Sequence, residues 1–532
     1  MSLIILMIGT CVFASTSAVF ALTCRGIIDA AVSVNKAGII KYGLLLAGII
    51  LVQLILRLSI RSQEEFVQAR LEISFRKKIL SAVMSKEYKD VSKFHSGEIL
   101  NRMFSDVNVV TSGVTGIVPS VFNMVTRIIC AVVVLLVLEW RLTILFMVAG
   151  VSLFFVSRFF RGKIKHLHKE VQETEGRVRS FLQETVENIL VIKAFGVDEK
   201  LKNEDSENQE EHFKARMRKR RVSIFANAGF NFIFQMGYLI ALVWGAFGIF
   251  YGVMTFGTQT AILQLVNQIQ APFANLSAVL PKYYSMLASA ERIMELENLP
   301  DEVETERRIE KSDFRELRVK DLSFSYGELS VLKDTSFTIK RGEAVSLTGI
   351  SGGGKTTFFL LILGAYKQSK GEMLINGARD SFNPGIETRH IFSYVPQGNY
   401  LFSGTVAYNI SFLEQGEEMD MEKVKKAAKI ACVEDFINEL PKGYDTKVGE
   451  KGFGVSEGQA QRIAIARAVY ANSEIFLLDE ATSALDEETE AKVLKNIASL
   501  EGKTLIVVTH RRAALEICDK HLYLKDGVIS EE

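Results

Sequence analysis

Long runs of apolar residues in the first half of the chain constrain its fold most strongly. The hydrocarbon core of a bilayer is about 30 Å thick, so a helix that crosses it needs about 20 mainly apolar residues. The run Leu3–Leu22 meets this requirement without a single charged residue. Further runs follow, and the sixth is diluted by amide side chains: Tyr42–Ile60, Gly116–Leu138, Leu142–Phe160, Phe225–Tyr251 and Phe256–Leu280. The sequence therefore predicts six membrane-spanning helices.

The first run has one alternative interpretation, a cleaved signal peptide. A signal peptide begins with basic residues, ends in a small-residue cleavage site and has an apolar stretch of about 15 residues at most. Leu3–Leu22 lacks the basic start and the cleavage site, and its apolar run is longer. We therefore expect a membrane helix here.

Basic residues are concentrated in two of the predicted loops. The loops between the second and third spans and between the fourth and fifth are rich in Lys and Arg, whereas residues 252–257 contain neither. Loops rich in Lys and Arg stay in the cytoplasm. An even number of spans then places the second half of the chain in the cytoplasm too. Both basic loops keep a helical apolar pattern, as at Phe66, Ala69 and Ile73, and are predicted to extend the helices beyond the membrane.

Polar side chains recur inside the predicted spans. Asn227, Asn231 and Gln235 are four residues apart and share one helix face, and Arg127 lies midway along the third span. One interpretation is hydrogen bonding between helices, with Arg127 extended toward the headgroups. The other is the wall of a polar translocation cavity. An unpaired charge in the membrane is costly, which favours the cavity for Arg127.

The charge balance and the cysteines exclude two classes of function. Lys plus Arg (63) nearly equals Asp plus Glu (62), and a net charge of +1 argues against a protein that binds nucleic acid by neutralising phosphates. The five cysteines show no C-x-x-C spacing, so we predict neither a disulfide framework nor a zinc site.

From Leu317 onward, short apolar strands alternate with helical patterns, which is typical of an α/β domain. A buried strand, Glu343–Thr348, is predicted to lead into a glycine-rich stretch, and an apolar helix, Phe358–Leu363, follows. The stretch matches G-x-x-x-x-G-K-[ST] in the strand-to-helix context that the motif requires. Its candidate binding residues are Gly349, Ser351, Gly352, Gly353, Gly354, Lys355, Thr356 and Thr357.

These residue types suit a nucleotide triphosphate. Glycines let backbone N–H groups surround the phosphates, and the helix N-terminus adds its dipole. Lys355 would reach the outer phosphates, and the hydroxyl of Thr356 would bind Mg²⁺. The alternative is an ordinary glycine-rich turn, which the flanking strand and helix disfavour.

A second predicted strand, Ile475–Leu478, ends in Asp479 and Glu480. Beside a phosphate loop, one carboxylate would hold the metal ion and the other would orient and deprotonate an attacking water. Alone, two acids after a strand could simply begin a helix.

Three further candidates are ambiguous when taken singly. Ser456 and Gln459 form a capping-box pattern before a predicted helix over 460–469, which by itself indicates a structural role. His510, after a predicted strand over 504–509, and Gln397 are equally uninformative alone.

Together these residues resemble the ABC transporter family, over nearly the whole chain. The resemblance implies that Lys355, Gln397, Glu480 and His510 are catalytic, the last being the switch histidine. It implies that Thr356, Gln397 and Asp479 bind Mg²⁺. Gly349–Thr356 resembles the Walker A motif, Asp479 the Walker B aspartate, Gln397 the Q-loop and Ser483–Asp486 the D-loop. Tyr326 resembles the residue that stacks on adenine, and the resemblance also implies that Asp486 contacts the nucleotide.

Val455–Gln459 resembles the family signature L-S-G-G-Q with two departures. Val455 replaces Leu, and Glu457 replaces the first Gly. Because Ser456, Gly458 and Gln459 are kept, we expect the signature to bind nucleotide.

Other stretches resemble exporters rather than importers. The spans precede the ATPase in one chain, and Lys447–Glu450 is similar to an exporter segment that faces the coupling loops. His95–Glu98 and Val186–Lys193 resemble those loops. The implied fold is an all-α six-helix transmembrane domain with long cytoplasmic extensions (1–290), a linker (291–316) and an α/β P-loop nucleotide-binding domain (317–532).

The resemblance thus implies an ATP-driven exporter built as a half-transporter. Two chains, identical or different, would pair in a lipid bilayer, with each ATP between the Walker A motif of one and the signature of the other. A bacterial-type plasma membrane with the ATPase in the cytoplasm is expected, and the transported substrate is not specified. Two alternatives stay open: an ATP-gated channel or regulatory ATPase without pumping, and an importer that would need an extracellular binding protein.

Overall fold

A computed structural model describes residues 2–303, 308–398, 401–412, 418–449 and 454–532. The chain forms two compact units. The first combines Met1–Leu80 with Gly97–Glu295, and the second combines Ser81–Ser96 with Leu296–Glu532. The predicted division at residues 290 and 317 stays a prediction.

The first unit is built of long α-helices, as predicted. The helices are α1 Ser2–Val32, α2 Lys36–Ser85, α4 Ser96–Asn101, α5 Val107–Leu138, α6 Trp140–Glu187, α7 Ile189–Phe195, α8 Asp198–Phe250 and α9 Phe256–Glu297. The ends of α2 and α9 and the first residue of α4 belong to the second unit. A π-helical turn, Arg102–Asp106, joins α4 to α5. Helices α2, α6 and α8 continue well beyond the predicted spans, which confirms the helical extensions.

Four helices of the described residues are long and apolar enough to cross a membrane: Leu3–Val32, Lys36–Ser85, Ser96–Leu138 and Asp198–Phe250. They contain the first, second and third predicted spans and all but the last residue of the fifth. The fourth and sixth predicted spans lie in α6 and α9, and α6 begins with a shorter apolar stretch, Trp140–Gly150. Many apolar side chains of these helices are exposed in the single chain, as a lipid-facing surface requires.

The π-helical turn anchors α5 to α9. Asp106 is buried and accepts hydrogen bonds from Ser289 Oγ (2.8 Å) and Arg292 Nε (2.9 Å). Arg102 donates to the carbonyl oxygen of Arg292 at 2.6 Å. These buried charges are therefore paired, as burial demands.

The second unit contains three sheets. Their strands are β1 Glu316–Tyr326, β2 Leu329–Lys340, β3 Ala344–Gly349, β4 Lys370–Asn376, β5 Ser381–Phe382, β6 Phe392–Val395, β7 Gly404–Thr405, β8 Lys447–Val448, β9 Ile475–Asp479, β10 Thr504–Val508, β11 Lys520–Lys525 and β12 Val528–Glu531. The sheet orders are β2-β1-β4-β5, β12-β11-β3-β10-β9-β6 and β7-β8.

Helices and the short segment Ser81–Ser96 complete this unit. The helices are α3 Tyr88–Val91, α10 Lys355–Ile362, α11 Ile386–Arg389, α12 Val406–Ser411, α13 Met421–Ile430, α14 Glu434–Glu439, α15 Glu457–Ala471, α16 Glu487–Ala498 and α17 Arg512–Leu515. Lys86 pairs with Asp301, and Glu87 pairs with Lys367, each at 2.8 Å. These ion pairs tie the segment to the rest of the unit.

The six-stranded sheet positions the site. Strands β11, β3, β10, β9 and β6 are parallel neighbours in that order. Phe476 and Leu478 of β9 pack in one apolar core, while Ile475 and Leu477 pack in another. Both faces are therefore covered, as parallel sheets require. The carboxyl ends of β3, β10 and β9 meet at one edge, where ligands bind in such folds.

Candidate nucleotide-binding and hydrolysis site

The predicted phosphate loop connects β3 to α10. Gly349 has φ +143°, and a Cβ there would lie 2.5 Å from the carbonyl oxygen of Leu524. Gly354 has φ +112°, and its Cβ would lie 2.6 Å from Val331 Cγ1. Both positions therefore require glycine. Since α10 begins at Lys355, the loop leads directly into a helix N-terminus, which favours anions.

Lys355 is the centre of the site and is only 5% exposed. Its Nζ donates to the carbonyl oxygens of Gly349 (2.8 Å) and Ile350 (3.1 Å). The Nε2 atom of His510 lies 3.3 Å from the same Nζ, and Glu480 Oε1 lies 4.0 Å from it. The ends of three neighbouring strands thus converge on one buried cation.

Asp479 and Glu480 are held in different environments. Asp479 ends β9 and is 1% exposed, and burial raises the pKa of its carboxyl against an opposing hydrogen bond from Thr356. The hydroxyl of Tyr394 also donates to Asp479, at 3.4 Å. Glu480 has φ +50°, a left-handed conformation that costs a non-glycine residue about 1–3 kcal/mol. Gln397 Nε2 donates to Glu480 Oε2 at 2.7 Å.

The donor set fits Mg²⁺. The Thr356 hydroxyl and the Asp479 carboxylate lie together, and oxygen atoms are the ligands that Mg²⁺ prefers. Within the described residues, no group of three or more His, Cys, Asp or Glu side chains could hold an ion by itself. Mg²⁺ usually binds one or two carboxylates and completes its shell with phosphates and water. The amide nitrogen of Gln397 faces Glu480, so its role as a metal ligand stays a prediction.

The signature residues form the predicted capping box. Ser456 Oγ accepts from the Gln459 N–H (3.3 Å), and Gln459 Oε1 accepts from the Ser456 N–H (2.8 Å). Helix α15 accordingly begins at Glu457, three residues before the predicted start. The contacts of the signature run to the D-loop, because a Cβ on Gly458 would lie 2.8 Å from the Ala484 carbonyl oxygen.

Two predicted nucleotide contacts have structural partners in this chain. Asp486 caps α16 by accepting from the Thr489 N–H at 2.9 Å, and this hydrogen bond lowers the pKa of its carboxyl. The hydroxyl of Tyr326 lies 3.4 Å from Thr357 Oγ1, and its ring packs edge-on against Tyr366. Both nucleotide contacts stay predictions. Glu450, in the exporter-like stretch, lies outside the described residues.

The structure therefore brings one group of predicted residues together and leaves another apart from it. The first group contains Lys355, Thr356, Gln397, Asp479, Glu480 and His510. The described contacts of Ser456, Gly458 and Gln459 lie at the start of α15 and at the D-loop instead.

The sequence analysis missed residues that hold the D-loop, chiefly Glu490 and Arg511. A signal for Glu490 was present. It shares the spacing i, i+3, i+4, i+7 with Val493, Leu494 and Ile497, and all four are buried on α16. A glutamate on the apolar face of a helix needs a partner.

The first unit contains a cavity of ≈ 280 Å³, and Arg127 contributes to its wall. Thr10, Glu64, Ser120 and Asn123 also line it. Among the described residues, Arg127 Nε is buried without a hydrogen-bond partner. This placement supports the cavity interpretation. The amide face at Asn227, Asn231 and Gln235 is exposed in the single chain.

Comparison with known proteins agrees with this architecture. The family model for the ABC transporter transmembrane region matches residues 1–273, and the ABC transporter model matches residues 332–483. An ATP-dependent lipid A-core flippase of Syntrophus aciditrophicus is 30% identical over 470 residues, covering 88% of this chain and 78% of that protein. An ATP-dependent lipid A-core flippase of Francisella novicida is 32% identical over 469 residues, covering 86% of this chain and 78% of that protein.

A solved structure of a bacterial Atm1-family ABC exporter with ATP bound has a TM-score of 0.82 and 21% identity, covering 99% of this chain and 94% of that one. The likeness shows a shared fold.

The chain belongs to the ABC transporter family. It is an exporter-type half-transporter with a helical transmembrane domain followed by an α/β nucleotide-binding domain, so the predicted fold class is confirmed. Its ATPase drives transport and lies on the cytoplasmic side of a membrane that the chain spans. The predicted ATP-driven export, the enzyme class and the integral-membrane location with a cytoplasmic ATPase are thereby confirmed.

Proposed function

We propose that two half-transporter chains, identical or different, enclose two ATP molecules and move a cargo outward across a bacterial-type plasma membrane. The main support is the separation of the site into two parts. Lys355, Glu480 and His510 converge at one sheet edge, whereas the contacts of the signature lie at another loop. A second chain would complete each ATP site by bringing its own signature to the phosphate loop.

In this proposal each residue near Lys355 has a role in hydrolysis. Lys355 and the loop N–H groups hold the phosphates, and His510 contacts the outermost one. Thr356, Asp479 and Gln397 would hold Mg²⁺. When bound, Mg²⁺ neutralises charge on the phosphate oxygens.

Glu480 would act as the general base. It accepts a proton from the water that attacks the γ-phosphorus, while the bond to ADP breaks. The hydrogen bond from Gln397 fixes the orientation of the Glu480 carboxylate. The buried Lys355 Nζ lies 4.0 Å from Oε1 of the same carboxylate.

Complementation in mixed dimers tests the shared sites. Lys355→Ala disables the phosphate loop, and Ser456→Arg disables the signature. When two singly substituted chains pair, one complete site remains. We expect the mixture to hydrolyse ATP well above either variant alone. The matched control mixes wild type with a chain that carries both substitutions, since those mixed dimers contain no complete site. Equal rates in the two mixtures, after correction for wild-type dimers, would contradict the arrangement.

We also propose that the cargo carries an anionic group and an apolar part. The support is the cavity beside Arg127, whose buried Nε has no hydrogen-bond partner among the described residues. The names of the relatives, lipid A-core flippases, fit a lipid cargo. We expect Arg127→Ala to abolish the stimulation of hydrolysis by anionic lipid in nanodiscs, and Arg127→Lys to keep part of it. Unchanged stimulation and transport in Arg127→Ala would show that the cavity role is wrong.

A further inference from the structure

A buried glutamate lies beside the D-loop and outside the ATP site described above. Glu490, on α16, is 1% exposed. Its Oε1 accepts from Thr482 Oγ1 (2.7 Å) and Thr509 Oγ1 (3.4 Å), and its Oε2 pairs with Arg511 Nη1 at 3.0 Å. A buried carboxylate is costly unless such partners surround it.

Arg511 extends this interaction to the D-loop backbone. Its Nη2 donates to the carbonyl oxygen of Ser483 at 2.8 Å, and its Nη1 also donates to that of Leu485. The guanidinium therefore binds the loop on both sides of Ala484. Arg511 directly follows His510, and its own N–H donates to Thr509 Oγ1 at 3.2 Å. The D-loop and the switch-histidine strand end are thus joined through Glu490 and Arg511, which we name the D-loop clasp.

The signature helix holds the same loop from another side. Gln461, on α15, is 2% exposed. Its Nε2 donates to Ser483 Oγ (3.2 Å), and its Oε1 accepts from the Ala484 N–H (3.1 Å). Gly458 of the signature lies against the Ala484 carbonyl oxygen. A continuous set of contacts therefore runs from the signature through the D-loop and the clasp to His510 and Lys355.

We infer that Glu490 and Arg511 are positioning residues that couple the two ATP sites of the dimer. The inference rests on the proposed shared sites, in which the signature of one chain serves the partner's ATP while His510 serves its own. A shift of the signature at one site is then transmitted through the D-loop to His510 at the other. Neither clasp residue contacts the phosphate-loop lysine, so losing the clasp should uncouple the sites without preventing ATP binding.

The test measures ATP hydrolysis against ATP concentration for the full chain in lipid nanodiscs. For two coupled sites we expect a Hill coefficient above 1 and at most about 2. In Glu490→Gln and Arg511→Lys we expect a coefficient near 1, a kcat that is lower by roughly tenfold, and an ATP dissociation constant within about twofold of wild type. Lysine keeps the charge of Arg511 but replaces the planar guanidinium, whose Nη1 and Nη2 each reach a D-loop carbonyl, with a single nitrogen.

Glu474→Gln is the matched control. Glu474 is another buried acid of the same unit, paired with Arg341 (3.2 Å) and Lys503 (3.1 Å), and its contacts do not include the D-loop. It should lose stability as Glu490→Gln does, yet keep the wild-type Hill coefficient.

Several results would overturn the coupling role. They are a wild-type Hill coefficient of 1, a wild-type coefficient retained in folded Arg511→Lys, and an equal fall of the coefficient in Glu474→Gln. Arg511 is partly exposed, so its lysine variant remains informative if Glu490→Gln fails to fold. The mixed-dimer experiment separates the two proposals. If the Lys355→Ala and Ser456→Arg chains complement each other but the clasp variants keep the wild-type Hill coefficient, only the role of the clasp is refuted. If those two chains fail to complement each other, the shared sites are refuted.

Discussion

Replacing Gly458 by Ala tests how closely the signature must pack on the D-loop. The new Cβ would lie 2.8 Å from the Ala484 carbonyl oxygen, so the two groups must separate by about 0.6 Å to reach ordinary contact. The oxygen cannot easily move away, because Arg511 and Gln461 hold the loop. Overpacking of this kind lowers the free energy of unfolding by about 1–3 kcal/mol, whereas the higher helix propensity of alanine raises it by about 1 kcal/mol.

The functional effect follows from the displacement of the signature. A misplacement of about 1 Å costs about 10²-fold in rate, so about 0.6 Å should lower kcat/KM roughly tenfold. We expect ATP binding at the chain's own phosphate loop to stay within about twofold, since Gly458 serves the partner's site in the proposal.

The assays are steady-state hydrolysis and equilibrium ATP binding in nanodiscs. Gly176→Ala is the matched control. Gly176 also lies in a helix, and a Cβ there would meet nothing within 4 Å. The control should keep wild-type kcat/KM. An unchanged kcat/KM in Gly458→Ala, or an equal loss in both variants, would refute the steric explanation.

Three smaller predictions concern single side chains. Glu457→Gln should lower the KM for ATP by roughly threefold at low salt and less at high salt, because it removes an exposed negative charge that salt screens; a KM equal to wild type at low salt would contradict this. Asp420→Ala should destabilise the ATPase by about 1 kcal/mol in thermal unfolding, since Asp420 accepts from two N–H groups at the start of α13; an unchanged midpoint would count against the cap. Burial raises the pKa of Cys518 to about 12, so at pH 8 about one native molecule in 10⁴ is a thiolate, against about a quarter when unfolded. Alkylation at pH 8 should therefore be slow in the native protein and rise with pH, and mass spectrometry finding equal native and unfolded rates would oppose this.

The sequence predicted those parts of the fold that depend on local patterns. Glycine spacing places strict demands on the backbone, so β3 and the start of α10 were located within three residues. Hydropathy identifies the part of a helix that contacts lipid but not its end. Hydropathy therefore located only residues 42–60 of helix α2, whereas the helix itself continues to Ser85.

Contacts between distant parts of the chain could not be predicted in this way. Nothing local indicates that β10 lies between β3 and β9, or that Glu87 pairs with Lys367. The candidate site shows the same contrast. Lys355 and Glu480 belong to recognisable patterns, whereas Arg511 gains its role from D-loop carbonyls that only the folded chain places beside it.

The most direct test of the central claim compares Mg²⁺-dependent ATP hydrolysis by this chain in lipid nanodiscs with that of Glu480→Gln. Glu480 lies 4.0 Å from Lys355 and accepts from Gln397, the geometry expected of an oriented general base. General-base catalysis contributes about 10²–10⁴-fold. We predict that the variant loses at least about 10²-fold in kcat while it binds ATP as tightly as wild type. Hydrolysis by Glu480→Gln at the wild-type rate, or a wild-type chain that binds no ATP, would contradict the account.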